Sequence, residues 1–171
     1  MRFSKFLVNG LALCLSTWSL AAADSLQLTR ALDDLSTLSE GVKSATVAIN
    51  RYQGGAVAAL PAAKKFYDLW NTLKTATTNL NNDADISPED TSTLVREVSN
   101  MLPMVQTGME ASGSKMPLLD AAGVGFVSRA LHDAVRHDLK KYLNAVKSKL
   151  SEDRKSQVDD IFDFYEEIHK L

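Results

Sequence analysis

The side chains able to do acid–base, nucleophilic or metal chemistry are few and badly spaced for it. The histidines are His132, His137 and His169. His132 and His137 stand five apart, which turns them to different sides of a helix, whereas Asp133 and His137 stand four apart and share a face. Such a pair offers two ligands where a catalytic zinc takes three from the protein, so no metal site is expected. His169, near the chain end, reads as an exposed residue. Asp33, Asp34, Asp159, Asp160, Asp163, Glu166 and Glu167 fall on polar helix faces. No pattern brings two of them into one apolar cleft, as a paired-carboxylate hydrolase requires. There is no nucleophile elbow and no phosphate-cradling loop. Gly123-Val124-Gly125 follows no strand and reads as the flexible lead into a helix. These residues predict a non-enzymatic protein without cofactor or metal.

What remains is the chemistry of apolar burial. Met101, Met104, Met109 and Met116 fall in or just after one helical stretch, beside Pro103. Methionine is flexible and polarisable, so it serves either a surface that adapts to apolar partners or the filling of gaps in a core. A proline kink in a bundle helix spreads its neighbours and makes room between them, a common place for an apolar ligand. Each buried methylene gains about 0.8 kcal/mol, so a sixteen-carbon chain gains roughly 12 kcal/mol before ordering and association costs.

The elements that would position such a site are helices. From about Ser25 to Tyr52, Leu28, Leu32, Leu35, Leu38, Val42, Ala45, Ile49 and Tyr52 recur at steps of three and four. Gln53-Gly54-Gly55 stops that helix. A second segment, about Ala56 to Leu80, carries Val57, Leu60, Ala63, Phe66, Tyr67, Trp70, Leu73 and Leu80, and Pro61 either marks its true start or bends its first turns. Ser87-Pro88-Glu89-Asp90 combines a capping hydroxyl, a first-turn proline and two acids that suit the helix dipole. The third helix then carries Leu94, Val95, Val98, Met101, Leu102, Val105 and Met109. Ser112 to Pro117 reads as a loop, a fourth segment runs from about Leu118 to Leu150, and a fifth from about Glu152 to His169. No stretch alternates strictly, so no strand is expected. Short connections make neighbours antiparallel, and the fold class is all-α, an antiparallel bundle of about five helices.

The N-terminus carries Arg2 and Lys5, an apolar run from Phe6 to Leu20, then Ala21-Ala22-Ala23 and Asp24. A basic start, a short apolar middle and a small-x-small exit make residues 1–23 a signal peptide, too short for a comfortable membrane span. Residues 24–171 then form one domain of ordinary size, secreted, without a transmembrane segment. Cys14, the only cysteine, leaves with the signal, and with it any disulfide or thiol chemistry. Of the 19 basic residues 17 remain, against 21 acidic ones, and no basic run suggests nucleic acid. The charged C-terminus is no lipid-anchor signal.

Several stretches together resemble one family. Ala48-Ile49-Asn50-Arg51-Tyr52-Gln53-Gly54-Gly55 is similar to its first-helix ending, Ile86-Ser87-Pro88-Glu89-Asp90 to its third-helix start, and Leu102-Pro103-Met104-Val105-Gln106 to its mid-helix signature. Lys115-Met116-Pro117 with Asp120-Ala121-Ala122-Gly123 and Val127 is similar to its next loop and helix start. The chain thus resembles the fungal hydrophobic-surface-binding protein A and cell-wall galactomannoprotein family over nearly all of residues 24–171. The resemblance implies a secreted, non-enzymatic bundle that encloses a long-chain fatty acid or similar amphiphile between its helices. Adsorption to hydrophobic surfaces with recruitment of secreted hydrolases, or service as an interaction module for host proteins, are the alternatives. The Ser/Thr-rich stalk of wall-bound members is missing. By the same resemblance Leu73, Leu94, Val98, Met101, Val105, Met109, Val127, Leu131, Val135 and Phe162 form the apolar wall, and Gln106 meets the head group. Phe66, Tyr67 and Trp70 are bulkier than the family pattern and imply a narrower pocket, or none.

Overall fold

The computed structural model describes residues 4–83 and 86–150, with positions 155, 156 and 159 beyond, and side chains from residue 26 onward except those of 88 and 89. Four long helices carry the fold: α1 (Ser4–Arg51), α2 (Leu60–Asn82), α3 (Pro88–Ala121) and α4 (Gly125–Ser148). A short 3₁₀ turn, Val57–Ala59, leads into α2. Among the described residues there is no strand, and no helix is long and apolar enough to cross a membrane. The expected fifth segment and its Phe162 lie outside the described residues, save positions 155, 156 and 159, which are helical.

The stops and starts follow local chemistry. Gly54 and Gly55 both take positive φ, 120° and 87°, which ends α1 at a sharp corner. α2 starts at Leu60 with Pro61 in its first turn, where the missing N–H is harmless. Ser87 caps α3: its hydroxyl accepts the Asp90 amide N–H at 3.2 Å. Gly123, at φ 75°, closes α3 with paired bonds, Gly123 N–H to the Asp120 carbonyl and Val124 N–H to that of Leu119.

One expectation fails. Ser112 to Pro117 is not a loop, because α3 runs unbroken through it to Ala121, and α4 begins only at Gly125. Tertiary contacts overrule the local breakers here. Ser112 and Leu119 are buried, and Met109 and Met116 pack beside them, so the apolar stripe continues. Lys115 Nζ donates to the Tyr52 carbonyl at 2.9 Å, and Tyr52 Oη donates to the Leu118 carbonyl. These bonds tie the last turns of α3 to the end of α1.

The helices alternate in direction, yet the pairing is not a simple ring of chain neighbours. α1 packs extensively on both α2 and α3, and α2 packs on both α1 and α4, while α3 and α4 meet less extensively. The arrangement is that of an open book, with α1 and α2 as the spine and α3 and α4 as the covers. Side-chain hydroxyls along the helices bond to their own backbone. Thr37, Thr46, Thr72, Thr75, Thr77, Thr78, Ser99 and Thr107 each donate to the carbonyl four residues back.

Candidate functional site

The core is apolar where the four helices converge, and it is incompletely filled. A central cavity of about 30 Å³ is lined by Leu38, Val42, Ala45 and Thr46 of α1, Phe66, Leu69 and Leu73 of α2, Met101, Val105, Gly108 and Met109 of α3, and Val135 and Leu139 of α4. Small residues leave the space. Gly108 comes so close to α1 that a Cβ there would stand 2.8 Å from Thr46 Oγ1. Nearer the α1–α2 corner lies a second cavity of about 20 Å³, lined by Ile49, Ala59, Ala62, Ala63, Phe66, Ser112, Leu119, Ser128 and Leu131. Phe66 is the one residue that borders both cavities, and so stands between them. Each holds a water or two by size, whereas a pocket for an organic ligand is about 300–1,000 Å³. The interior is therefore closed, with its unfilled space at the bundle centre, where all four helices meet.

The second cavity lies one side-chain layer beneath the surface. Ala63 and Leu131 line it from one side and line an outer apolar groove from the other, with Leu60, Pro61, Tyr67 and Val127. Leu60 of that groove is 64% exposed, and at the same end of the bundle Val57, in the turn before α2, is 80% exposed and Phe126, at the start of α4, 70%. On the other side of Pro61, a second open groove combines Val47, Ala48 and Ala58 with Lys43, Arg51 and Lys65, against one acid, Glu40.

α4 is held differently on its two sides. Toward α2, Trp70 Nε1 donates to Asp138 Oδ2 at 2.6 Å, and Lys141 pairs with Asp138 Oδ1 at 2.8 Å. Lys74 Nζ lies 3.8 Å from the centre of the Trp70 ring, and Tyr67 meets that ring edge-on. Burial pushes the Asp138 carboxyl up, but hydrogen bonds from Lys141 and Trp70 outweigh it and hold the group below the usual carboxylate range. Toward α3, Arg129 grips Asp120 at the turn, with contacts of 2.8 and 3.1 Å. Gly125 leaves room for that carboxylate: a Cβ there would fall 1.8 Å from Asp120 Oδ1, so a larger residue would push the Asp120 side chain off its present position. Further along, the facing residues are Met109, Ser112, Leu131 and Val135, and they bound the cavities.

The structure places the expected wall residues in four settings. Leu73, Met101, Val105, Met109 and Val135 converge on the central cavity. Leu131 stands between the second cavity and the outer groove, and Val127 lies in that groove. Leu94 and Val98 are fully buried and border neither cavity. Gln106 is half-buried, and its amide donates to Glu110 Oε1 at 2.9 Å on the helix surface. Of the three bulky residues of α2, only Phe66 reaches the cavities, Trp70 turns to Asp138, and Tyr67 is half exposed. The cavity residues outside the expected set, among them Leu38, Leu69, Thr46 and Gly108, sit on stripes that any core would use. The one signal for them was the run of small residues, Ala45, Thr46 and Gly108, facing across α1 and α3. Among the described residues, no three His, Cys, Asp or Glu side chains stand together as metal ligands would.

Residues 28–149 match a protein-family model described as hydrophobic surface binding protein A. The chain is also similar in fold to AFMP4P, solved in complex with palmitic acid, with 20% identity over 82% of this chain and 93% of that one and a TM-score of 0.78. Two further similar structures are ligand binding domains of the Penicillium marneffei MP1 protein. Domain 1, complexed with arachidonic acids, is 15% identical over 83% of this chain and 93% of its own, with a TM-score of 0.77. Domain 2, complexed with multiple arachidonic acids, is 18% identical over 83% and 90%, with a TM-score of 0.76. No curated protein matches the sequence significantly.

Proposed function

The chain belongs to the hydrophobic surface binding protein A family, and from that membership and the geometry of the bundle we propose that it is a non-enzymatic binder of long-chain fatty acids or similar amphiphiles, taken up between the covers. The observation that carries this reading is the series of three apolar-lined spaces, the outer groove and two cavities, separated only by Ala63 and Leu131 and then by Phe66. The closed interior is far smaller than a fatty acid, so uptake requires α3 and α4 to part. Their apolar seam is the side of the bundle where parting costs least, and adaptable Met101 and Met109 line the space that would open. The bound states of the three similar structures support the same class of ligand. Ser112 and Ser128 place hydroxyls in the second cavity, the polar groups nearest a buried head group. The test is a thermal melt of the purified chain with and without palmitate, together with solvent extraction of the chain as isolated. A ligand present at a hundred times its Kd stabilises by about 2.7 kcal/mol, which a melt resolves. An unchanged melt and a lipid-free extract would overturn the reading.

The exposed apolar end of the bundle favours a second activity on the same chain, adsorption to hydrophobic surfaces, and the family description points the same way. Export by cleavage after Ala23 belongs to both readings. The family match begins at residue 28, beyond that bond, and among the described side chains, which start at residue 26, the first buried one is Ala31. N-terminal sequencing of chain recovered from the medium is expected to begin at Asp24.

A further inference from the structure

The end of the bundle formed by the α1–α2 corner and the α3–α4 turn is unlike the rest of the surface. It gathers Val57, Leu60 and Phe126, all mostly exposed, beside the outer apolar groove. Singly exposed apolar residues are ordinary, but three large ones at one end of a small domain, beside an apolar groove, mark a contact surface. Its flank is basic: Lys43 and Arg51 stand on one face of α1, four residues to either side of exposed Val47, and Lys65 stands four residues after Pro61 on α2. The whole chain carries a net charge of −2, so this local excess of cations is set against the overall sign. An apolar cluster meant only for a neutral solid has no use for such a flank. An apolar wedge with cations beside it matches a bilayer whose acyl region lies beneath negatively charged heads.

The opposite end of the bundle cannot share this role. There Arg30 bonds Asp83 at 2.8 Å and Lys149 Nζ donates to the Asp83 carbonyl, so the cations at that end are engaged with the protein itself.

We propose that this end docks on anionic lipid bilayers, with Val57, Leu60 and Phe126 entering the acyl boundary and Lys43, Arg51 and Lys65 resting on the head groups. The proposal rests on the surface-adsorption activity proposed for this chain and names the class of surface. Docking in this pose sets the outer groove, and the wall made by Ala63 and Leu131, against the lipid from which an amphiphile would come.

The experiment is co-sedimentation of the chain starting at Asp24 with vesicles of phosphatidylcholine alone and of equal parts phosphatidylcholine and phosphatidylserine, with polystyrene beads as a neutral apolar surface. Binding is expected to be at least about tenfold stronger to the mixed vesicles and to weaken as salt is raised. Arg51→Glu with Lys65→Glu is expected to lose that preference. Arg136→Glu with Lys140→Glu, equal in net charge but both on α4, is expected to keep it. Val57→Ser with Leu60→Ser and Phe126→Ser is expected to lose both vesicles and beads, with circular dichroism confirming an intact helical fold. Equal binding to the two vesicle types, or equal loss in the two charge-reversed variants, overturns the proposal. Depletion by beads without vesicle binding overturns it while leaving adsorption intact, and failure on every surface overturns both.

Discussion

α4 lies between two walls built on different principles. Against α2 it is fixed by directional polar contacts, with the Asp138 carboxylate receiving Trp70 on one oxygen and Lys141 on the other. Against α3 it is fixed at the turn, by Arg129 on Asp120 and by Gly125 packed on Asp120, and beyond the turn it meets side chains that border unfilled space. A buried hydrogen-bonded carboxylate has one good geometry and a steep cost for leaving it. Methionine, leucine and valine contacts are individually weak and can be remade elsewhere. The difference divides the bundle into a part that keeps its register and a seam that can part while secondary structure stays whole.

The strongest way to break this division is at Phe66, which separates the two cavities. Phe66→Ala is expected to join them and to destabilise the ligand-free chain by about 3–5 kcal/mol. It should also enlarge the stabilisation given by palmitate, so that the melting curves of mutant and parent draw together when ligand is present. A mutant equally destabilised with and without palmitate would place the ligand elsewhere.

Next is the fixed wall. Asp138→Ala leaves the Trp70 N–H without its acceptor and is expected to cost about 1–3 kcal/mol by chemical denaturation. A loss below that range would mean that α4 is held on α2 by packing alone. The acid response sharpens the same point. Because the folded chain holds the Asp138 carboxyl below its ordinary value of about 4, the unfolded chain takes up the proton more readily. The stabilisation is complete above that ordinary value and is lost as pH falls through the lower folded one. Denaturation midpoints across this acid range should therefore fall more steeply for the parent than for Asp138→Asn. Parallel curves would show that the carboxylate contributes nothing specific.

The smallest effect is expected at the turn. Asp120 and Arg129 are bound to each other in solvent, and exposed pairs often contribute nothing measurable. Arg129→Ala should leave the melting temperature where it was. A clear drop would make the turn, rather than the α2 wall, the element that holds α4.

Helix boundaries governed by nearby residues are legible in the sequence. Gly54-Gly55 ends α1 and Ser87 caps α3 because each depends on backbone freedom or on a side chain three residues away, whereas Pro61 left two readings of where α2 begins, and the structure takes the one at Leu60. The stretch from Ser112 to Pro117 is not. Its serines, glycine and proline are local breakers, and they are overruled by Lys115 and Leu118 bonding to Tyr52, more than sixty residues earlier in the chain. Five of the expected wall residues do meet at one cavity, because an apolar stripe must face the bundle axis. Which of them border empty space is a different matter. Leu94 and Met101 share a stripe, yet only Met101 reaches the cavity, since voids arise where four helices jointly fail to fill. Phe66 shows the same limit: its bulk signalled a narrow interior, while its place between two cavities depended on helices far from it in sequence.

The hydroxyls bonded to the backbone four residues behind them bear on how this molecule tolerates dehydration. A free hydroxyl carried out of water must find a new acceptor or bear the loss. Thr72, Thr75, Thr77 and Thr78, along one stretch of α2, already have theirs within the same helix. Such a helix presents a wettable face in water and makes little demand on a dry neighbour. A chain that trades an aqueous surrounding for an oily one can thus keep its helices while its solvent changes around it.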